Sequence, residues 1–232
     1  MALTVYGSPQ SRTTRVLWML AELGVPFEHV PIAWDDPFLK SPDFLRINPA
    51  GRIPAIVDDG MALSESLAIN LYLAKRYGAA GLQGLYPQTP QDEAQTWSWM
   101  LWTMFDLESS LDVIRRHRAE IYLPVAERQP AIADEAARRL APGLALLDGV
   151  LAKAPWLVGD RFSVADLNVA AVLSPSRTSL IEMNPYPALR GWLERCYARP
   201  ACQAARRGLQ TAPGPAPGSG GGSATSRPMA SR

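Results

Sequence analysis

Thiol and imidazole ligands are almost missing from this chain, which carries two cysteines and two histidines among its 232 residues. The spacing of Cys196 and Cys202 matches neither a disulfide framework nor a zinc motif, and His29 and His117 stand far apart in sequence. Catalysis by a His/Cys-held metal has little support, no resident metal is expected, and both cysteines read as packing residues of a C-terminal helix. An excess of one charge is missing too: 23 basic residues face 22 acidic ones, for a formal net charge of +1. The arginines are scattered, so neither nucleic acid nor an anionic membrane is an expected partner. Long apolar runs are also absent. No segment reaches the roughly 18 apolar residues of a membrane span. The opening MALTVYGSPQSRTTRV has no basic stretch ahead of a long apolar one, as a secretory leader would. A cytoplasmic location is the expectation.

What is present is ample core material, with 47% of residues hydrophobic. The first 80 residues alternate strand-like and helix-like patterns. LTVY (3–6) is a short strand. Arg12 to Leu23 spaces Val16, Leu17, Met19, Leu20 and Leu23 as a helix that Gly24 ends. FEHVPI (27–32) reads as a strand, and Pro31 argues for an edge position because it cannot donate to a ladder. A loop through Asp35, Asp36 and Pro37 leads to a short helix near 42–47. PAIV (54–57) and MALS (61–64) are two strands joined by the turn signal Asp58-Asp59-Gly60. Ser64 is expected to cap a helix ending near Tyr77. The order β-α-β-α-β-β-α gives a small mixed sheet with helices on its faces.

After a junction at Gly78–Pro90 the pattern is helical throughout. Expected helices are a long one over 92–118, one over 126–153 that Pro130 and Pro142 bend or interrupt, and three more over 163–173, 188–199 and 201–209. The residues from 211 onward are rich in Pro, Gly and Ser and read as a disordered tail, 211–232. The domain reading is therefore 1–80, 88–210 and the tail.

Three motifs, in this order and at these separations, carry a resemblance. They are YGSPQSRTTRVLWMLAELGVPFE, NPAGRIPAIVDDGMALSESLAINLYLAKRYG and LVGDRFSVADL. Over roughly residues 2–205 the chain resembles the cytosolic glutathione S-transferases of the serine type, similar to their phi and theta classes. The resemblance implies a thioredoxin-like, glutathione-binding α/β domain followed by an all-helical domain. It also implies a homodimer and an enzyme that conjugates glutathione to a small, apolar or aromatic electrophile, with peroxide reduction as a side activity. A glutathione-binding regulatory or assembly protein of the same fold is the alternative. Redox chemistry of the glutaredoxin or omega type needs a cysteine at the active-site turn, and residues 8–14 read SPQSRTT. The zeta-class isomerase pattern is missing from the same turn.

The chemistry of each position can be stated. A free thiol has a pKa near ~8.5, and lowering it by about two units needs roughly 2.7 kcal/mol favouring the thiolate. A hydroxyl hydrogen bond, a helix N-terminus and a guanidinium all act in that direction. Ser11, at the start of the first helix, aligns with the family's catalytic serine. Arg12 is the second candidate and Ser8 the third, while Tyr6 belongs to the strand. Ser11 read alone is a helix cap before it is anything else. The resemblance implies a cis Ile53–Pro54 bond whose Ile53 backbone pairs with the cysteinyl part of glutathione. Ser66 suits the γ-glutamyl carboxylate at a helix start and Glu65 suits its ammonium; read alone, the pair is simply a helix start that complements the dipole. Lys40 and Arg52 can reach the glycyl carboxylate, or stand as solvated charges. Ser163 and Asp166 form a capping box of structural value. The electrophile pocket is expected between the domains, near Ser8, Gln10 and the long helix. Trp97, Trp99, Trp102, Met104, Phe105 and Arg115 are candidates, although aromatics at helical spacing are more often core.

Overall fold

The computed structural model describes residues 2–78, 84–119 and 123–211. Strands β1 (Leu3–Tyr6), β2 (Glu28–Val30), β3 (Ala55–Asp58) and β4 (Met61–Ser64) form one sheet in the order β2-β1-β3-β4. β1 runs parallel to β2 and antiparallel to β3, which pairs antiparallel with β4. β2 is an edge strand, as Pro31 requires. β1 alternates buried Leu3 and Val5 with half-buried Thr4 and Tyr6, the period of two that a one-sided strand needs.

Helix α1 (Thr13–Leu23) buries Val16, Leu17, Trp18, Met19 and Leu20 and stops at Gly24, whose φ of 63° is left-handed. It packs against α3 (Ser66–Gly78), α7 (Val164–Val172) and α10 (Pro200–Thr211). The apolar core is therefore continuous from the sheet into the helical half. Polar contacts lock the same junction: Glu22 of α1 accepts from Trp18 Nε1 at 2.9 Å and from Arg199 at 2.6 and 2.8 Å.

Several sequence expectations need correction. Ser64 does not cap α3: it is the last residue of β4, paired with Ala55, and Glu65 turns the chain with a φ of 70° before the helix begins at Ser66. The ladder takes Ser64 because the hairpin register runs on to Ala55. The expected loop after Asp35 contains a 3-10 turn, Pro37–Lys40, before α2 (Pro42–Ile47). The long helix over 92–118 is not uniform. It divides into α4 (Pro90–Trp102), a π-helical turn (Thr103–Glu108) and α5 (Ser109–Arg118). Pro130 starts α6 (Pro130–Leu151), where its missing N–H costs nothing, and Pro142 is accommodated inside that helix. A one-turn helix, α8 (Pro175–Thr178), was not expected; α9 (Pro187–Tyr197) and α10 follow it. Residues 79–83 of the junction and the tail from 212 lie outside the described residues.

Cys196 and Cys202 are free and buried, and burial pushes both thiols up, Cys202 to about 11. Among the described residues no helix is long and apolar enough to cross a membrane.

The capping box of α7 anchors the helical half. Asp166 is fully buried and accepts from Leu157 N, Trp192 Nε1 and Ser163 N, each at 3.0 Å, and from Ser163 Oγ at 3.1 Å. Removing it orphans buried donors, each costing about 1–3 kcal/mol. Asp166→Ala is therefore expected to lower the unfolding free energy by about 3 kcal/mol or more in urea titration. A loss below about 1 kcal/mol would mean that these donors find other partners.

Candidate functional site

The site is assembled by three turns of the α/β half and closed by α4, α5 and α8. Gly7 sets the first turn. Its φ is 130°, and a Cβ there would lie 2.2 Å from Thr13 Oγ1 and 2.9 Å from Ile53 Cβ. Only glycine allows the turn after β1 to approach both the start of α1 and the Ile53–Pro54 loop this closely. The Ile53–Pro54 peptide is cis. Asn48 shapes that loop, donating from Nδ2 to the Arg52 carbonyl at 2.6 Å and accepting Ala50 N–H at 3.1 Å.

A groove of about 400 Å³ gathers Arg12, Arg52, Ile53, Pro54, Glu65 and Ser66, with Trp97, Met100, Leu101 and Met104 of the helical half on its far wall. Six of the eight sequence-named site residues thus share one concave surface. Ser11 and Lys40 are not in its lining. Lys40 Nζ donates to the Gly51 carbonyl at 3.1 Å, next to Arg52. Ser11 Oγ donates to the Ser8 carbonyl at 2.7 Å, lies 2.8 Å from Thr13 Oγ1 and accepts the Thr13 N–H at 3.1 Å. It therefore acts on the first helical N–H, as a cap does, and it faces a second cavity of about 310 Å³. Arg12 and Arg15 line both spaces.

The electrophile candidates separate. Trp97 and Met104 line the groove, Gln10 and Arg115 line the second cavity, and Trp99 and Trp102 pack against each other edge to face at 5.3 Å, in contact with the core. Phe105 is exposed. Ser8 lines neither space.

Sequence reasoning missed Arg15, Glu108, Asp112 and Arg177. Glu108 ends the π turn and is buried with its carboxylate inward. It accepts Arg12 Nε at 2.7 Å, Arg15 Nη2 at 2.8 and 3.1 Å, and Arg177 at 2.8 and 3.0 Å. Asp112, one turn on, accepts Arg12 at 2.6 Å and Arg177 at 3.0 Å. Arg15 Nη1 also donates to Ser66 Oγ at 3.3 Å, which leaves the Ser66 proton to be donated elsewhere. Burial pushes the Glu108 carboxyl up, but Arg15, Arg177 and Arg12 outweigh burial and hold it well below the usual carboxylate range. Burial, helped by Arg177 and Arg12, pulls Arg15 down to about 10, so it stays charged at neutral pH. One signal was available: Arg12 and Arg15 stand three apart on one helix face. Their carboxylate partner lies 96 and 93 residues away, and no local pattern announces it.

Residues 1–75 match the family description "Glutathione S-transferase, N-terminal domain", and residues 112–200 match "Glutathione S-transferase, C-terminal domain". Glutathione S-transferase 3 of Zea mays is 34% identical over 209 residues, covering 87% of this chain and 91% of that protein. Glutathione S-transferase GstB of Escherichia coli is 31% identical over 206 residues, covering 86% and 95%. The crystal structure of the theta class glutathione S-transferase of Xanthomonas axonopodis pv. citri, with glutathione bound, is 30% identical with a TM-score of 0.78, covering 91% and 98%.

Because Glu108 is favoured in its charged form in the folded state, it adds stability above the ordinary carboxylate range, and that stability is lost as pH falls through and below it. Glu108→Gln is expected to cost about 3 kcal/mol at neutral pH, the order found on breaking a buried pair. The gap between wild type and variant should narrow as pH falls in denaturation series; a constant gap would contradict the charge assignment. Two family domains in sequence order, relatives matched over most of their length and the shared fold lead to one conclusion: the chain belongs to the glutathione S-transferase family of enzymes.

Proposed function

We propose that this chain binds glutathione in the groove and activates its thiol, at the start of α1, for attack on a small electrophile. The observation that carries this reading is the convergence of the cis Ile53–Pro54 loop, Glu65, Ser66, Arg52 and Arg12 on one concave surface. The Ile53 backbone is the partner for the cysteinyl residue. Ser66, buried at the N-terminus of α3 and fixed by Arg15, takes the γ-glutamyl carboxylate, and the exposed Glu65 takes the ammonium. Glu65 keeps its left-handed φ of 70° at this point, a strain that a non-glycine residue bears where the fold over-determines it. Arg52 takes the glycyl carboxylate, with Lys40 at the groove margin.

The sulfur then sits between Ser11 and Arg12. Positive charge from Arg12 and Arg15 and the dipole of α1 all favour the thiolate there. Ser11 has one proton, now shared with the Ser8 carbonyl, and turning it to a thiolate makes a charge-assisted hydrogen bond. The electrophile enters through the second cavity, which meets the groove at Arg12 and Arg15. A detoxifying role in the cytoplasm and a peroxidase side activity fit the same thiolate. A regulatory glutathione-binding protein would need the groove but not the guanidinium cluster beside the sulfur, and the cluster favours the enzyme.

A homodimer belongs to this proposal. Trp97 and Leu101 stand one turn apart on α4 and Phe105 follows in the π turn; they are 46%, 56% and 77% exposed. Such an apolar row beside the groove suits a second copy of the chain.

In steady-state assays with a chloronitrobenzene, Ser11→Ala is expected to lose about 10- to 100-fold in kcat/KM, the worth of one charge-assisted hydrogen bond. Glutathione affinity, measured by calorimetry, should be kept. An unchanged rate would move the role to Arg12. Light scattering should give a dimer for the wild type and a monomer for Leu101→Glu; a wild-type monomer would remove the dimer from the proposal.

A further inference from the structure

Behind the groove, α1, α3, α4 and α7 meet around two buried amides. Asn70 of α3 and Asn168 of α7 are both 0% exposed. Asn70 Nδ2 donates to Asn168 Oδ1 at 2.7 Å and to the Arg15 carbonyl at 3.2 Å. Asn168 Nδ2 reaches the Leu67 carbonyl at 3.5 Å and the Met100 sulfur at 3.6 Å, the longer contacts of the set. Arg15, Leu67 and Met100 all line the groove, while neither asparagine does. One amide pair therefore holds, from behind, a wall residue of each of α1, α3 and α4. The grip on Arg15 is double. Ser66 and Asn70 stand one turn apart on α3. Ser66 Oγ meets the Arg15 guanidinium at 3.3 Å, and Asn70 meets the Arg15 backbone. The first turns of α1 and α3 are thus fixed to each other at two points. Burial alone does not call for this arrangement. Leucines of nearly the same volume would fill the space with no amide groups to satisfy. Asn70 Oδ1, moreover, finds no donor among the described residues. The amide is turned for what it donates to, and its own oxygen is left unserved.

We propose that Asn70 and Asn168 are positioning residues for glutathione. They set the first turn of α3 against that of α1, so that Ser66, the N–H groups at the α3 N-terminus and the Arg15 charge converge on the γ-glutamyl carboxylate. The inference rests on the glutathione reading of the groove given above and adds to it two residues that touch no ligand. A displacement of about 1 Å far from the reacting atoms can lower a rate on the order of 100-fold, so a pair behind the wall can govern what the wall binds. Ser11 and Arg12, which flank the sulfur, bond to neither asparagine. Loss of the pair therefore acts on glutathione binding more than on the step that follows it.

The test compares the wild type with Asn70→Leu, Asn168→Leu and the double variant, each as the full chain. Either single variant leaves the other amide without its partner and is expected to lower the urea midpoint. The double variant removes both amides and should regain most of that stability. Its glutathione Kd by calorimetry, and its KM for glutathione with a chloronitrobenzene, should nevertheless stay about tenfold above the wild-type values, with kcat at saturating glutathione within about threefold. That split separates positioning from packing, because a pair that only fills the core would return binding together with stability. Asn70→Ser decides the matter should the double variant not fold or not regain its midpoint. Its single hydroxyl proton cannot serve both the Arg15 carbonyl and Asn168, and it too should raise KM. A double variant that recovers both its midpoint and wild-type glutathione affinity, a loss confined to kcat, or an unchanged KM in Asn70→Ser would overturn the proposal. A wild type that binds no glutathione would instead sink the reading of the groove on which it rests.

Discussion

Glu108 is the carboxylate around which the site is built. A single buried acid receives guanidiniums from Arg12 and Arg15 of α1 and from Arg177 of α8, so it ties the α/β half to the helical half at the point where the site lies. A lone buried charge is expensive, and a buried pair is kept only where each partner finds several hydrogen bonds. Here Glu108 accepts five from arginines, and the π turn at Thr103–Glu108 ends on it. Such turns inside α-helices recur at functional sites. Glu108 is followed at four- and three-residue steps by Asp112 and Arg115, so the π turn and the first turns of α5 supply both carboxylates of the cluster.

This cluster faces two ways. Toward the groove it presents Arg12 and Arg15 beside Ser66 and the start of α1, where a carboxylate and a thiolate would both be favoured. Toward the other side it borders the second cavity. Arg12 and Arg15 border both spaces, so the cluster that holds the halves together also sets the potential in each. Stability and the proposed function are coupled here: a change at Glu108 would disturb the junction and the site at once.

The sequence showed some of this and hid the rest for physical reasons. Local signals were readable. Alternation gave β1, the Asp58-Asp59-Gly60 turn gave the hairpin, and the Ser163–Asp166 box gave the start of α7. The motif around Ile53, Pro54, Glu65 and Ser66 named most of the groove. Ser64 was misread because a serine ahead of an amphipathic run is a cap signal, and nothing local reports that a strand ladder will claim it. The single helix over 92–118 was misread because a π turn leaves hydrophobic spacing nearly unchanged. Arg177 carried no signal at all: it sits in the one-turn helix α8, too short to show a periodicity, and its partner is 69 residues away. Long-range ion pairs follow from tertiary packing, which periodicity does not record.

The central claim is that the start of α1, made positive by the Arg12–Arg15–Glu108 cluster, holds the glutathione sulfur as a thiolate. It is tested most directly by titrating the ultraviolet thiolate absorbance of the protein–glutathione complex against pH. The account predicts a bound-thiol pKa about two units below the free value near ~8.5. A bound thiol that titrates as it does in free solution would contradict it.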